Sequence, residues 1–213
     1  LLRMYAMLTF FCLLYLYINL KIVENDFIID KKLGRELIIA TILGFLTQYY
    51  FCIFALIVFI IMVIRMITLK YGKEALRYFS KHVISAIIGV LLFLPCIYHI
   101  FFSYRKPGNF ELQVFIGKLK DFMQIIFNAY SLPEVLGYII LILSIIYFII
   151  ELARKKLNAK KIFKILLLTM PVVLYVLIIA FISPSIDKRY MIRYIMPVLP
   201  VIGVDIILLI DIF

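Results

Sequence analysis

The sequence consists of long apolar runs separated by short clusters of charge. Hydrophobic residues make up 66% of the chain and charged residues 16%, whereas a soluble domain is about 45–50% apolar. A helix needs about 20 apolar residues to cross a hydrocarbon core of roughly 30 Å, where it must satisfy its own backbone polar groups. The sequence therefore predicts an all-α, polytopic transmembrane helix bundle that forms a single domain.

The lengths of the runs predict about six to seven spans. The predicted spans are residues 4–20, 37–48, 50–67, 83–103, 134–150, 162–182 and 197–213. Residues 37–67 would measure about 46 Å as one helix, so they form either one tilted helix or a hairpin. The polar stretch at 44–51 is a plausible place to turn, and the charge pattern favours the hairpin. Mixed polar and apolar residues at about 109–130 predict a helix that lies in the outer membrane interface.

Basic residues indicate how the spans are oriented. They cluster in connectors around 21–35, 65–81 and 154–164, and basic connectors of membrane proteins lie in the cytoplasm. This pattern explains the net charge of +11 without a nucleic-acid partner. If residues 37–67 form a hairpin, all three connectors share the cytoplasmic side, and the loop at 183–196 faces outward.

The ends and the cysteines carry less information. The chain starts with Leu1 rather than methionine and stops within an apolar run, so we expect it to be a fragment of a longer polypeptide. The three cysteines lie in apolar runs without metal or disulfide spacing. No cofactor is identified, and no motif indicates a divalent metal.

The segment 183–200 places Lys188, Arg189 and Arg193 on the side where basic residues should be rare. Arg189 and Arg193 are four residues apart, so on a helix they point the same way, with Tyr190 and Tyr194 forming a parallel pair. Planar guanidinium groups suit phosphate recognition. The alternative is an interfacial anchor of snorkelling cations and belt tyrosines, and the residues alone leave both interpretations open.

Two other polar residues lie near or within apolar runs. Asp205 is near the middle of the last predicted span, where an acid is costly unless it faces a cavity or a cationic partner. His82 is expected in a basic cytoplasmic connector, with a structural or interfacial role rather than a metal-binding one.

Three segments in order resemble one family of membrane enzymes. They are RMYAMLTFFCLLYLYINLKI at 3–22, GFLTQYYFCIFALIVFI at 44–60 and RYMIRYIMPVLPVI at 189–202. Together they resemble the GT-C membrane glycosyltransferases, most closely the bacterial Rgt-like type of families 39 and 83. That type is related to dolichyl-phosphate-mannose protein mannosyltransferases and to lipid A aminoarabinose transferases. Gln48 stands where relatives often carry histidine.

The resemblance implies transfer of a sugar from a polyprenyl-phosphate donor to an acceptor at the outer face of a bacterial plasma membrane. It implies a catalytic aspartate upstream of Leu1, so the fragment alone is expected to be inactive. The expected donor-phosphate ligands are Lys188, Arg189 and Arg193. The expected cavity-lining residues are Arg3, Tyr5, Gln48, Tyr49, Tyr50, Tyr190, Tyr194 and Asp205. The expected partners are the lipid-linked sugar donor and membrane lipids; the alternatives are a transporter or flippase of lipid-linked sugars and a non-catalytic membrane subunit.

Overall fold

A computed structural model describes residues 2–102, 112–153, 158–182, 194–195 and 198–212, and the regular structure in these ranges is α-helical. The helices are α1 (Leu2–Glu24), α2 (Lys31–Thr47), α3 (Tyr49–Thr68), α4 (Gly72–Phe102), α5 (Leu112–Ala129), α6 (Glu134–Ala153), α7 (Ala159–Ile182) and α8 (Leu199–Ile212). The predicted all-α class is confirmed for these residues.

Four helical segments among the described residues are long and apolar enough to cross a membrane. They are Tyr5–Glu24, Tyr50–Thr68, Gly72–Leu92 and Ala159–Ile182. By length and composition these helices give the chain the character of an integral membrane protein. The full count of six to seven spans stays a prediction, since α2 at 17 residues is only about 26 Å long.

The long apolar run forms two helices, which break at Gln48. This residue is extended, with φ −168° and ψ 145°, between the end of α2 and the start of α3. A Cβ at Gly44 would lie 2.4 Å from the ring of Phe51, so the glycine allows α2 and α3 to approach closely beside the break. The hydroxyl of Thr47, the last residue of α2, donates to the carbonyl of Gly44 at 2.6 Å.

Contacts along the helices give their relative directions. Gly34 faces Lys81, and Phe45 faces Gly89, so α2 and α4 run the same way. The ring of Phe59 stacks on Tyr78 with centroids 5.7 Å apart, as expected for antiparallel α3 and α4 joined by the short turn at 69–71. Helices α2 and α3 are therefore antiparallel and form a hairpin.

Helix α4 begins at Gly72, well before the span predicted at 83–103. The added turns bury Ala75 and Tyr78 in the core, while Lys73 and Arg77 remain exposed. This amphipathic pattern extends a helix into a segment that its charge marked as a connector. Several basic residues of that connector therefore lie on α4.

One end of the bundle collects basic residues from all three clusters. Lys160 lies 2.6 Å from the carboxylate of Asp26, and Lys164 lies 2.8 Å from that of Glu24. The guanidinium of Arg65 donates to the carbonyl of Ala159 at 3.4 Å. We call residues 21–36, 65–81 and 158–164 the basic end. Their shared membrane side stays a prediction from charge.

Candidate functional site

The break at Gln48 lies at the end of α3 remote from the basic end. Tyr49 and Arg65 begin and nearly end this helix, which places them about 24 Å apart at helical rise. Tyr50 and Tyr194 meet beside the break, with ring centroids 5.3 Å apart and an angle of 88° between the rings. An edge-to-face pair of this kind stabilises contact between segments far apart in sequence.

The backbone beside Tyr194 is anchored independently of its ring. The hydroxyl of Tyr175, on α7, donates to the carbonyl of Tyr194 at 3.1 Å. Tyr175 is fully buried, and the centroid of its ring lies 6.5 Å from that of Phe54 of α3. Helices α3 and α7 therefore hold the segment that follows residue 193 against the Gln48 break.

Gln48 contributes a polar atom without a partner. Its side-chain oxygen Oε1 is buried and accepts no hydrogen bond from any described residue. A buried acceptor left unsatisfied costs about 1–3 kcal/mol, so the site gains free energy if a ligand hydroxyl or amide donates to it. Glutamine can give and accept hydrogen bonds, which suits recognition of hydroxyl groups.

Tyr5 lies further along the bundle than the break. Tyr15 of the same helix contacts Phe51 with ring centroids 5.7 Å apart, and Tyr5 lies about 15 Å beyond Tyr15 at helical rise. Tyr5 is partly buried against the core. Tyr5 therefore lies toward the same end of the bundle as the break.

The remaining predicted site residues fall into two groups. The proposed phosphate ligands and one tyrosine lie outside the described residues: Lys188, Arg189, Arg193 and Tyr190. Three others are described by their backbone alone, within α1, α3 and α8 respectively: Arg3, Tyr49 and Asp205. The common cavity therefore stays a prediction for these residues.

Lys118 of α5 is a cation that the sequence reasoning did not select. Its ammonium donates to the carbonyl of Ala180 near the end of α7, at 3.4 Å. Desolvation by the surrounding protein lowers the pKa of Lys118 below the usual lysine value. This contact brings α5 to the end of the bundle that holds the Gln48 break.

The sequence also did not predict a buried hydrogen-bonded cluster between α1 and α4. The hydroxyl of Tyr78 donates to Oδ1 of Asn19 at 2.6 Å, and the hydroxyl of Tyr15 lies 2.6 Å from Nε2 of His82. Asn19 donates to the carbonyl of Tyr15 at 2.8 Å. The cluster links α1 to α4 in the middle of two candidate spans.

The expected connector position of His82 was wrong, because the histidine lies inside α4. Its Nδ1 is 2.9 Å from the carbonyl of Tyr78, which can only accept a hydrogen bond. Nδ1 therefore donates, and Nε2 accepts from Tyr15 in the neutral ring. The i,i+4 spacing of Tyr15 with Asn19 and of Tyr78 with His82 was a visible signal, but it did not show which helices pair.

The described residues contain no group of three or more His, Cys, Asp or Glu side chains that could hold a metal ion. Comparison of the chain with protein-family models, curated proteins and solved structures finds no match.

Proposed function

We propose that this chain is part of an integral membrane glycosyltransferase that moves a sugar from a polyprenyl-phosphate donor to an acceptor. The reaction takes place at the membrane face opposite the basic end, which is the outer face under the positive-inside rule. The observation that carries the proposal is the contact of Tyr50 with Tyr194, because it joins two of the three segments that resemble GT-C enzymes.

Each part of the proposed site has a chemical role. A carboxylate in the preceding part of the parent protein takes the proton from the acceptor hydroxyl. The acceptor oxygen then bonds to the anomeric carbon of the sugar, and the bond from that carbon to the phosphate oxygen breaks. The polyprenyl phosphate leaves with the electron pair, and Lys188, Arg189 and Arg193 stabilise its negative charge.

The residues near the break bind and orient the sugar in this proposal. Gln48 accepts a hydrogen bond from a sugar hydroxyl through the buried Oε1 that lacks a protein partner among the described residues. The aromatic rings of Tyr50 and Tyr194 supply a wall against which the sugar and the carrier can pack. Arg3, Tyr5, Tyr49, Tyr190 and Asp205 complete the cavity, and the proposal assigns no metal ion.

The test uses the full-length parent protein in proteoliposomes with a polyprenyl-phosphate sugar donor. Replacing Arg189 and Arg193 by alanine removes two charge-assisted contacts, each worth about 1.5–3 kcal/mol. We expect donor binding to weaken by at least a hundredfold and sugar transfer to fall accordingly. Lys120 is an exposed basic residue of α5 outside the proposed site. The variant Lys120→Ala is therefore the control, and it should leave donor binding and sugar transfer unchanged.

Unchanged donor affinity in the double variant would remove the phosphate role of the two arginines. Movement of the intact donor across the bilayer without any sugar transfer would support a flippase instead. The two results can be separated in one preparation, because transfer is measured on the acceptor and movement on the donor.

A further inference from the structure

We propose that the seam between α2 and α4 at the basic end binds the headgroup of an anionic phospholipid. The seam is defined by Lys31 and Arg35 of α2 and by Lys81 of α4. This function is separate from sugar transfer, and it requires only that the bundle lie in a membrane.

The seam brings the three cations together around a glycine. A Cβ at Gly34 would lie 3.3 Å from Cε and 3.9 Å from Nζ of Lys81, so the lysine side chain occupies the space that the missing side chain leaves open. Lys31 and Arg35 are four residues apart, so both project from one face at the start of α2, beside the face that Gly34 turns toward Lys81. Lys81 is half-buried there, whereas Lys31 and Arg35 are exposed.

Three other cations of the basic end are held in ion pairs. Arg77 pairs with Glu74 at 2.9 Å, and Lys160 and Lys164 pair with acids of the α1–α2 region. Among the described residues, Lys31, Arg35 and Lys81 make no side-chain hydrogen bond or ion pair. A half-buried ammonium flanked by two exposed cations favours an anion with a phosphate group.

The surface above the seam explains why the anion should belong to a lipid. On α2, Ile39 is 57% exposed and Leu43 is 42% exposed; on α4, the corresponding values are 42% for Ile84 and 55% for Ile87. Because α2 and α4 run the same way, both helices present cations at the basic end and bare apolar side chains beyond them. A phospholipid has the same polarity, with its phosphate at the interface and its acyl chains in the hydrocarbon core.

The experiment measures lipid binding by native mass spectrometry of the whole chain in detergent. The protein is titrated with phosphatidylglycerol and, separately, with phosphatidylcholine. We expect preference for the anionic lipid, and about 25-fold weaker phosphatidylglycerol binding in the double variant Arg35→Gln, Lys81→Gln, since each basic residue near the surface contributes about fivefold. The charge-preserving double variant Arg35→Lys, Lys81→Arg should bind within a few-fold of the unaltered protein.

The control is Lys160→Gln, Lys164→Gln, which removes the same charge from ion-paired residues at the same end. We expect it to change phosphatidylglycerol binding by less than about threefold, because the seam keeps its three cations. Equal weakening by both double variants would assign the effect to diffuse charge and overturn the seam. Equal binding of the two lipids to the unaltered protein would also overturn it. Neither result bears on sugar transfer, which is measured separately.

Discussion

Removing one hydroxyl from the centre of the bundle tests whether the buried polar cluster holds α1 to α4. In Tyr78→Phe the ring stays, so its stacking on Phe59 and its contact with His82 at 4.4 Å between centroids are kept. The variant loses the 2.6 Å hydrogen bond to Asn19 and the 3.5 Å contact with the hydroxyl of Tyr15. The acceptor oxygen of Asn19 then stays buried without this donor.

The size of the effect follows from these two losses. Hydrogen bonds between membrane helices contribute on average about 0.6 kcal/mol and at most about 1.7 kcal/mol. A buried acceptor left without a partner costs about 1–3 kcal/mol in mutational series. We therefore expect Tyr78→Phe to lower the free energy of unfolding by about 2 kcal/mol.

The assay is equilibrium unfolding in mixed micelles, followed by steric trapping or by titration with a denaturing detergent. Tyr71→Phe is the matched control, because Tyr71 is 40% exposed and its ring also contacts an aromatic partner, Phe27. It should change stability by less than about 0.5 kcal/mol. Adding Asn19→Leu to Tyr78→Phe should recover part of the loss, since both polar partners are then removed.

A loss in Tyr78→Phe no larger than in Tyr71→Phe would refute the reasoning. A further loss on adding Asn19→Leu would also contradict it, because the second substitution would then remove a stabilising group rather than an orphaned acceptor.

Three further predictions concern the stability of the protein. Gly44→Ala should destabilise the protein by about 1–3 kcal/mol, because its Cβ would lie 2.4 Å from the ring of Phe51. Gly72→Ala should leave the stability unchanged, because nothing lies within 4 Å of the added Cβ. Thermal unfolding of the two variants measures the difference. Phe163→Ala should cost about 3 kcal/mol, since its buried ring docks α7. Lys160→Ala should cost less than about 1 kcal/mol in the same assay, because its ion pair is exposed.

The sequence predicted the features that depend on composition along one helix. Run length indicates which residues become helical in a membrane, and charge indicates which connectors share a side. The polar residues around Gln48 marked a place to turn, and charge favoured the hairpin. The early start of α4 at Gly72 was not predicted, because its basic residues resemble a connector until the burial of Tyr78 against other helices is known.

Features that depend on helix pairing could not be obtained in this way. The i,i+4 patterns of Tyr15 and His82 are visible in each helix, but only packing shows that their side chains meet. The contact of Tyr50 with Tyr194 likewise joins segments whose proximity no spacing rule determines. The resemblance to GT-C enzymes had assigned both tyrosines to one cavity, for reasons of family rather than of local pattern.

Cysteine accessibility tests the central claim most directly. In the protein with its native cysteines replaced, single variants Arg189→Cys and Lys73→Cys are treated with a membrane-impermeant maleimide in intact cells. The account predicts that position 189 is labelled from outside and that position 73, at the basic end, is labelled only after permeabilisation. Labelling of position 73 in intact cells, with position 189 protected until permeabilisation, would contradict it.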